Sequence, residues 1–460
     1  MVTLPVIEPV EIPRVVVAAP ATGQGKTTVA TGLMAALAAA GSAVSGHKVG
    51  PDYIDPGYHA LACGRPGRNL DPHLVGESLV APLLLHGARG ADVAVIEGVM
   101  GLYDGRIGCD GYSSTAHVAA LTRTPVILVV DISRSSRSIG AVVHGMATWD
   151  PTVEVAGVVL NQAGSPRHVA EVRSSVSLPV LGAIPRDASI ATPSRHLGLV
   201  TAAERGQSEE VVARLADVVA EHVDLDAILA IARTAPDLDA EPWSPAPVVE
   251  VRGAPAPSLE TSGRKRVAVA SGRAFTFQYA ETAELLAAHG CDVVSFDPAH
   301  DSALPSGTAG LYLGGGFPEV HATDLAANRS LLAEVREAVR DGLPTVAECA
   351  GLLYLCRTLD GVPMAGVLDA DAAMTTRLTL RYPVATAPAD SLLTRGGEQV
   401  TGHEFHRTAV TPTTRGTAAW AIDGDDVGFA SATLHASYLH THWAGHPQLA
   451  ARFAEAVHRA

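Results

Sequence analysis

An apolar run, Val15-Val16-Val17-Ala18, leads straight into Ala19-Pro20-Ala21-Thr22-Gly23-Gln24-Gly25-Lys26-Thr27-Thr28. A second apolar stretch, Val29-Ala30-Thr31-Gly32-Leu33-Met34-Ala35-Ala36-Leu37, follows at once. That order is strand, glycine turn, helix, and it constrains the fold more than any other feature of the chain. Backbone N–H groups converge on an anion where glycines let the chain turn inward, and the start of a helix adds partial positive charge. The pattern predicts a phosphate loop in which Gly23, Gln24, Gly25, Lys26, Thr27 and Thr28 hold ATP. Lys26 would reach the outer phosphates, and the Thr27 hydroxyl would ligate Mg²⁺. Pro20 stands five residues before Gly25, where the general pattern carries glycine, but the core from Gly23 to Thr28 is intact.

At 460 residues the chain exceeds what a single core organises, so more than one domain is expected. Residues 1–235 alternate strand and helix. Candidate strands are Val15–Ala19, Ala43–Lys48, Val93–Glu97, Val126–Asp131, Val155–Asn161 and Val180–Ile184, several of them continuously apolar as in a sheet buried on both faces. Helical stretches include Thr28–Ala40 and Glu209–Val223. This predicts a doubly wound α/β domain. Residues 236–264 collect Pro236, Pro242, Pro245, Pro247, Pro255 and Pro257 and read as a linker. A second α/β domain is predicted over 265–460, with strands at Arg266–Ala270, Asp292–Phe296, Gly310–Leu313 and Thr345–Ala347, and helices at Tyr279–His289 and Leu331–Asp341.

The net charge of −15 disfavours non-specific nucleic-acid binding, so an anionic substrate must meet a local basic pocket. The five cysteines form neither a disulfide framework nor a C-x-x-C pair. The N-terminus does not read as a signal peptide, and no apolar run approaches the roughly 20 residues of a membrane span. A cytoplasmic protein without membrane partners is the expectation.

A second signature lies in Pro344-Thr345-Val346-Ala347-Glu348-Cys349-Ala350-Gly351-Leu352. It reads as strand, sharp turn and helix with Cys349 at the turn, the arrangement that exposes a nucleophile at a helix N-terminus. Upstream, Gly314-Gly315-Gly316-Phe317-Pro318-Glu319 follows a strand, and the N–H groups of Gly315 and Gly316 are candidate oxyanion donors. Near the C-terminus, Tyr438-Leu439-His440-Thr441-His442 offers a base for Cys349: His440, with His442 as the second choice.

These segments together are highly specific. Glu348–Leu352 with Gly314–Glu319 resembles a class I glutamine amidotransferase domain of the cobalamin-biosynthetic subtype. The N-terminal half resembles a dethiobiotin-synthetase-like ATP-binding domain. In this order, with Lys48-Val49-Gly50-Pro51-Asp52-Tyr53-Ile54-Asp55-Pro56-Gly57-Tyr58-His59, Glu97–Gly105 and Gly402–His406, nearly the whole chain resembles the family of cobyrinic and hydrogenobyrinic acid a,c-diamide synthases.

The resemblance implies that Cys349 attacks the glutamine amide, His440 moves protons, and ammonia travels internally to an acyl phosphate made with ATP on a polycarboxylate tetrapyrrole. It also implies Mg²⁺ ligands in Thr27, Glu97 and Asp52, and an acyl-phosphate or substrate site around Asp52, Tyr53, Asp55 and Asp104. Lys48 is a further phosphate-facing candidate, and Asn161 falls at a plausible adenine position. Arg377, Arg381, Tyr382 and His403–His406 are candidates for tetrapyrrole binding or for shaping a domain interface. The resemblance leaves a homodimer open. Ala350 and Arg273 depart from the family, the first tolerably because alanine is small. His442 stands where ordinary class I enzymes carry a glutamate two residues after the base, as in a dyad. Cobyric acid synthase, a nickel-sirohydrochlorin a,c-diamide synthase and a P-loop ATPase switch are the competing readings.

Overall fold

The computed structural model describes residues 11–187, 194, 195, 198, 199, 208–245 and 264–460. The chain divides into two compact units, one comprising Met1–Pro72 and Gly76–Trp243, the other His73–Val75 and Ser244–Ala460. Of the predicted linker, residues 246–263 lie outside the described residues, with Pro247, Pro255 and Pro257 among them. Trp243 is buried in the first unit, its ring edge-on to His86 and its backbone N–H donated to the Pro82 carbonyl.

The first unit is built on seven strands: β1 (Arg14–Ala18), β2 (Val44–Val49), β3 (Arg68–Leu70), β4 (Val93–Glu97), β5 (Val126–Asp131), β6 (Val155–Ala163) and β7 (Val180–Pro185). Their order is β3-β2-β4-β1-β5-β6-β7 and every pairing is parallel. β1, β2 and β4 are buried along their whole length, as in a sheet covered on both faces; Val15–Ala18 and Val93–Ile96 are apolar accordingly, whereas β2 carries Ser45, His47 and Lys48 into the interior. Helix α1 (Lys26–Ala39) packs against the helix Ser208–His222 so closely that a Cβ on Gly32 would lie 2.6 Å from Val219. Helix α2 (Ile54–Cys63) was not legible in advance; Pro56 sits in its first turn, where a missing N–H costs nothing.

The second unit has a six-stranded sheet in the order Cys291–Phe296, Lys265–Ala270, Thr308–Leu313, Thr345–Glu348, Leu434–Ser437 and Phe429–Ala430. All of its pairings are parallel except the last. The segment between the fourth and fifth strands carries two small sheets, one antiparallel and one mixed, and the long antiparallel pair Asp371–Arg381 and Glu404–Thr411 forms one side of the mixed sheet. Among the described residues no helix is long and apolar enough to cross a membrane.

Candidate functional sites

In the first unit the strand-to-helix turn is made by glycines in the left-handed region, Gly23 at φ 82° and Gly25 at φ 91°. Gly25 caps α1 and cannot be replaced on a second ground: a Cβ there would sit 2.1 Å from Asn161 Nδ2. Asn161, at the sheet end of β6, donates to the Gln24 carbonyl at 2.9 Å, and its Oδ1 accepts the Gln162 N–H. Gln24 accepts the Asp131 N–H at 2.8 Å. The structure therefore engages Asn161 in holding the phosphate loop, where the sequence suggested adenine.

Below the loop lies a buried cluster of charge. Lys48 contacts Asp55 at 2.8 Å and Glu97 at 3.0 Å and donates to the Gly98 carbonyl. Glu97, fully buried at the end of β4, also accepts the Thr27 hydroxyl at 2.6 Å and faces His59 Nε2 at 2.7 Å. Parallel register explains the meeting, because Lys48 pairs with Glu97 directly across β2 and β4. Burial alone would raise the Glu97 carboxyl, but Lys48, His59 and Thr27 outweigh it and hold it well below the usual range. Burial would likewise lower Lys48, and Asp55 and Glu97 hold it above its ordinary value instead. Asp55 is pushed upward by burial and by Asp52 and Glu97, against the pull of Lys48.

Lys26 donates to the Met100 carbonyl, and burial followed by the charge of Lys48 lowers it to about 8. Asp104, exposed in the loop after β4, accepts the Gly101 N–H at 3.0 Å and exerts an attraction on Lys26. Asp52 accepts the Ile54 N–H at 2.8 Å just ahead of α2. Asp55, rather than Asp52, is the second carboxylate near Thr27, 3.4 Å from its hydroxyl. Tyr53 is buried beside it. Among the described residues no three His, Cys, Asp or Glu side chains form a closed metal cage. Thr27 and Glu97 instead present hard oxygens beside the loop, the donor type that suits a divalent cation such as Mg²⁺. His59, the partner that fixes Glu97, closes the family-like segment from Lys48, but the sequence assigns it no role because its meeting with Glu97 forms only in the fold.

In the second unit Cys349 follows the strand Thr345–Glu348 and caps the helix Ala350–Leu355 with φ 48° and ψ −95°. A non-glycine residue holds that backbone only when its surroundings enforce it. Here the Cys349 N–H is tied to the Ser437 carbonyl at 2.8 Å. Gly351 lies against the Leu313 carbonyl, where a Cβ would come within 2.3 Å. Cys349 is 5% exposed.

His440 is the histidine brought to Cys349, and the two side chains are hydrogen-bonded. Its Nδ1 lies 3.5 Å from Glu348 Oε2. Burial alone would lower the imidazole, but its bonds to Cys349 and Glu348 and their negative charge lift it to about 9. His442 is turned elsewhere: it stacks on Tyr279 at 4.3 Å between centroids and lies 3.5 Å from Glu281.

One oxyanion expectation needs correction. The Gly315 N–H is already donated to the Phe277 carbonyl at 3.1 Å, in a two-way bridge between these residues, so it is not presented to a substrate. Gly315 serves by its lack of a side chain: a Cβ there would meet His440 Cε1 at 2.3 Å. Gly316 and, by the geometry of nucleophile turns, Ala350 remain the candidates for this role.

Arg381 is committed to Glu404 at 2.6 Å and Asp423 at 2.9 Å. With Arg377, His406 and Tyr438 it lines a cavity of about 360 Å³. Tyr382 packs edge-on against Phe405, and His403 stacks on His440 at 4.9 Å. Arg273, the other departure from the family, is exposed.

The fold and the two sites define a P-loop nucleotide-binding domain joined to a glutamine amidotransferase domain. Residues 15–200 match the family described as the CobQ/CobB/MinD/ParA nucleotide binding domain, and residues 266–448 match the CobB/CobQ-like glutamine amidotransferase domain. The chain is 59% identical over 97% of each chain to hydrogenobyrinate a,c-diamide synthase of Thermobifida fusca. It is 54% identical to that of Streptomyces coelicolor, over 96% of this chain and 97% of the relative. A cobyrinate a,c-diamide synthase of Dehalococcoides mccartyi is 38% identical, again over 96% of this chain and 97% of the relative. The chain belongs to the a,c-diamide synthase family.

Proposed function

We propose that this protein amidates the a and c carboxylates of hydrogenobyrinate, with glutamine as nitrogen donor and ATP as activator, and that cobyrinate is the alternative substrate. The observation that carries the reading is the coexistence in one chain of a phosphate loop over a buried Lys48–Glu97–Asp55 cluster and a Cys349–His440 pair at a strained turn. The full-length likeness to hydrogenobyrinate enzymes at 59% and 54% identity, against 38% for the cobyrinate relative, favours the metal-free substrate.

In the amidotransferase unit the Cys349 thiolate attacks the glutamine side-chain carbonyl, and the N–H groups of Gly316 and Ala350 receive the oxyanion. His440, protonated beside the thiolate, gives its proton to the departing nitrogen, and ammonia leaves. His440 then takes a proton from water, which opens the glutamyl thioester and frees Cys349.

In the ATP unit a substrate carboxylate attacks the γ-phosphoryl group and ADP leaves. Ammonia displaces phosphate from the resulting acyl phosphate to give the amide. Two anions must approach each other in the first step, so positive charge has to screen them. Lys26 supplies part of it at the phosphates, and the loop N–H groups supply the rest of the cradle. Thr27 and Glu97 would hold Mg²⁺, which when bound neutralises charge between phosphate oxygens. Lys48 keeps Glu97 and Asp55 together by offsetting their repulsion. Asp52 and Tyr53 at the start of α2 and Asp104 in the loop after β4 belong to the acceptor side of this proposal. A cavity of about 1010 Å³ beyond that loop, lined by Tyr103, Tyr112, Met146 and Trp149, offers an apolar bed wide enough for a macrocycle.

Cytoplasmic residence, a homodimeric assembly and indifference to nucleic acid and membranes belong to the same proposal, and the charge of −15 supports its nucleic-acid part. The test is amidation of hydrogenobyrinate and of cobyrinate with ATP and glutamine, followed by mass spectrometry. A stop at two amides supports the reading. Amidation of a preformed diamide but not of the acid overturns it in favour of a cobyric acid synthase. ATP hydrolysis with no tetrapyrrole product overturns it in favour of an ATPase switch.

A further inference from the structure

A histidine that exchanges protons with a thiol works only while its ring is held in one tautomer and one orientation, and a carboxylate on the far ring nitrogen is a common means. The position two residues after His440 is His442, which carries no such charge and packs against Tyr279 and Glu281. A carboxylate nevertheless reaches His440 from elsewhere. Glu348 ends the strand that leads into Cys349, and its Oε2 lies 3.5 Å from His440 Nδ1.

Strand pairing creates this meeting across more than 80 residues of sequence. Thr345–Glu348 runs parallel to Leu434–Ser437, with Glu348 opposite Ser437, so His440 leaves the partner strand just beyond the nucleophile turn. Glu348 is itself fixed. The Tyr312 hydroxyl donates to its Oε2 at 3.2 Å, and the Thr441 hydroxyl donates to its Oε1 at 3.1 Å. Trp443 Nε1 donates to the same Thr441 oxygen at 3.1 Å, which steers the threonine hydrogen toward Glu348. The histidine plane is set from the other side. The His403 ring lies 14° from parallel to it, and the two backbones exchange hydrogen bonds of 3.1 and 3.0 Å. Both members of the pair are buried, with side chains 2% and 6% exposed, so water does not compete for the imidazole.

We propose that Glu348 is the positioning carboxylate of the amidotransferase site: it receives the Nδ1–H of His440 and leaves Nε2 to serve Cys349, the part a downstream carboxylate would otherwise play. The site is then a Cys–His–Glu triad in which the nucleophile and the carboxylate are consecutive residues. No carboxylate is needed after the histidine, which leaves position 442 to a buried ring. This rests on the reading of Cys349 as the glutamine nucleophile.

The test is Glu348→Gln, nearly the same in shape and without the charge. Glutaminase kcat should fall by about 10²- to 10⁴-fold, as for the removal of an orienting carboxylate, with KM for glutamine little changed. Alkylation of Cys349 by iodoacetate, whose carboxylate is attracted by the imidazolium, followed against pH, needs neither glutamine nor tetrapyrrole and so stays readable if the functional reading fails. Its alkaline limb, which reports loss of the imidazolium proton, should move down by about one pH unit. A lower kcat with an unmoved alkylation profile, or an unchanged kcat, overturns the proposal. A measurement on the unmodified enzyme guards against a variant that fails to fold. Proton NMR with labelled histidine should show an exchange-protected, downfield Nδ1–H on His440 that survives His442→Gln. Its absence at every pH overturns the proposal as well.

Discussion

The two sites solve one geometric problem in opposite ways. Each places a sharp turn between a buried parallel strand and a helix, and each turn residue has a positive φ, 91° at Gly25 and 48° at Cys349. At the phosphate loop the turn residue contributes only backbone N–H and open space, so glycine takes the conformation without strain. At the amidotransferase turn the residue must carry a thiol, so the backbone is held there against its preference, at about 1–3 kcal/mol supplied by the surrounding pairing. The charge follows the same division. The nucleotide site gathers two lysines and two buried carboxylates into a balanced cluster, while the cysteine site uses one imidazole and one carboxylate. A turn that binds is built from what glycine lacks, and a turn that reacts is built from what its neighbours enforce.

The sharpest break of the comparison is Cys349→Ala. It should abolish glutamine-dependent synthesis, by more than about 10⁴-fold, and leave synthesis from ammonium salts nearly intact, measured as ADP formed with each donor. Loss of both would mean that the turns are not two separate chemical sites. Lys26→Ala should do the converse, lowering synthesis from either donor by about 10²- to 10³-fold while glutaminase persists. Gly25→Ala should weaken ATP binding at least about tenfold, or about 1.4 kcal/mol, in a direct titration. Adding Asn161→Ala should restore only part of that, because the clash is relieved and the positive φ is not.

Lys48→Met leaves Glu97 and Asp55 facing each other without their cation, and chemical denaturation should show a loss of about 3–5 kcal/mol. Unchanged stability would show that the cluster is not held by charge. The smallest effect is in pH. Lys26 sits near 8 in the free protein, so its charge is lost as pH rises through that value, and bound phosphate should restore it. ATP binding should therefore take up a fraction of a proton near pH 8, and affinity should decline above it. Calorimetry in buffers of differing ionisation enthalpy reads this directly, and Lys26→Arg should abolish it.

Much of this was legible in the sequence. The strands β4 and β5 have the bounds their sequence predicts, each an apolar run closed by one acidic residue, Glu97 and Asp131. Lys26, Thr27, Glu97 and Cys349 carry local patterns that survive without a structure. What stayed hidden depends on contacts distant in sequence. Glu348 is conspicuous beside Cys349, but only pairing with Leu434–Ser437 turns it toward His440. The Gly315 N–H is a donor on sequence alone, and only the fold brings the Phe277 carbonyl to occupy it. The small sheets between Thr358 and Val427 are built largely from strands of two or three residues, whose alternation is too brief to read.

The central claim is that one chain moves the amide nitrogen of glutamine onto two carboxylates at the expense of ATP. It is tested most directly by incubating hydrogenobyrinate with enzyme, Mg²⁺-ATP and glutamine labelled with ¹⁵N in its side-chain amide, then weighing the product. The account predicts a diamide carrying the label at both new amides, with one ADP formed for each. Label at one position only, amides without label, or ADP without amidation would contradict it.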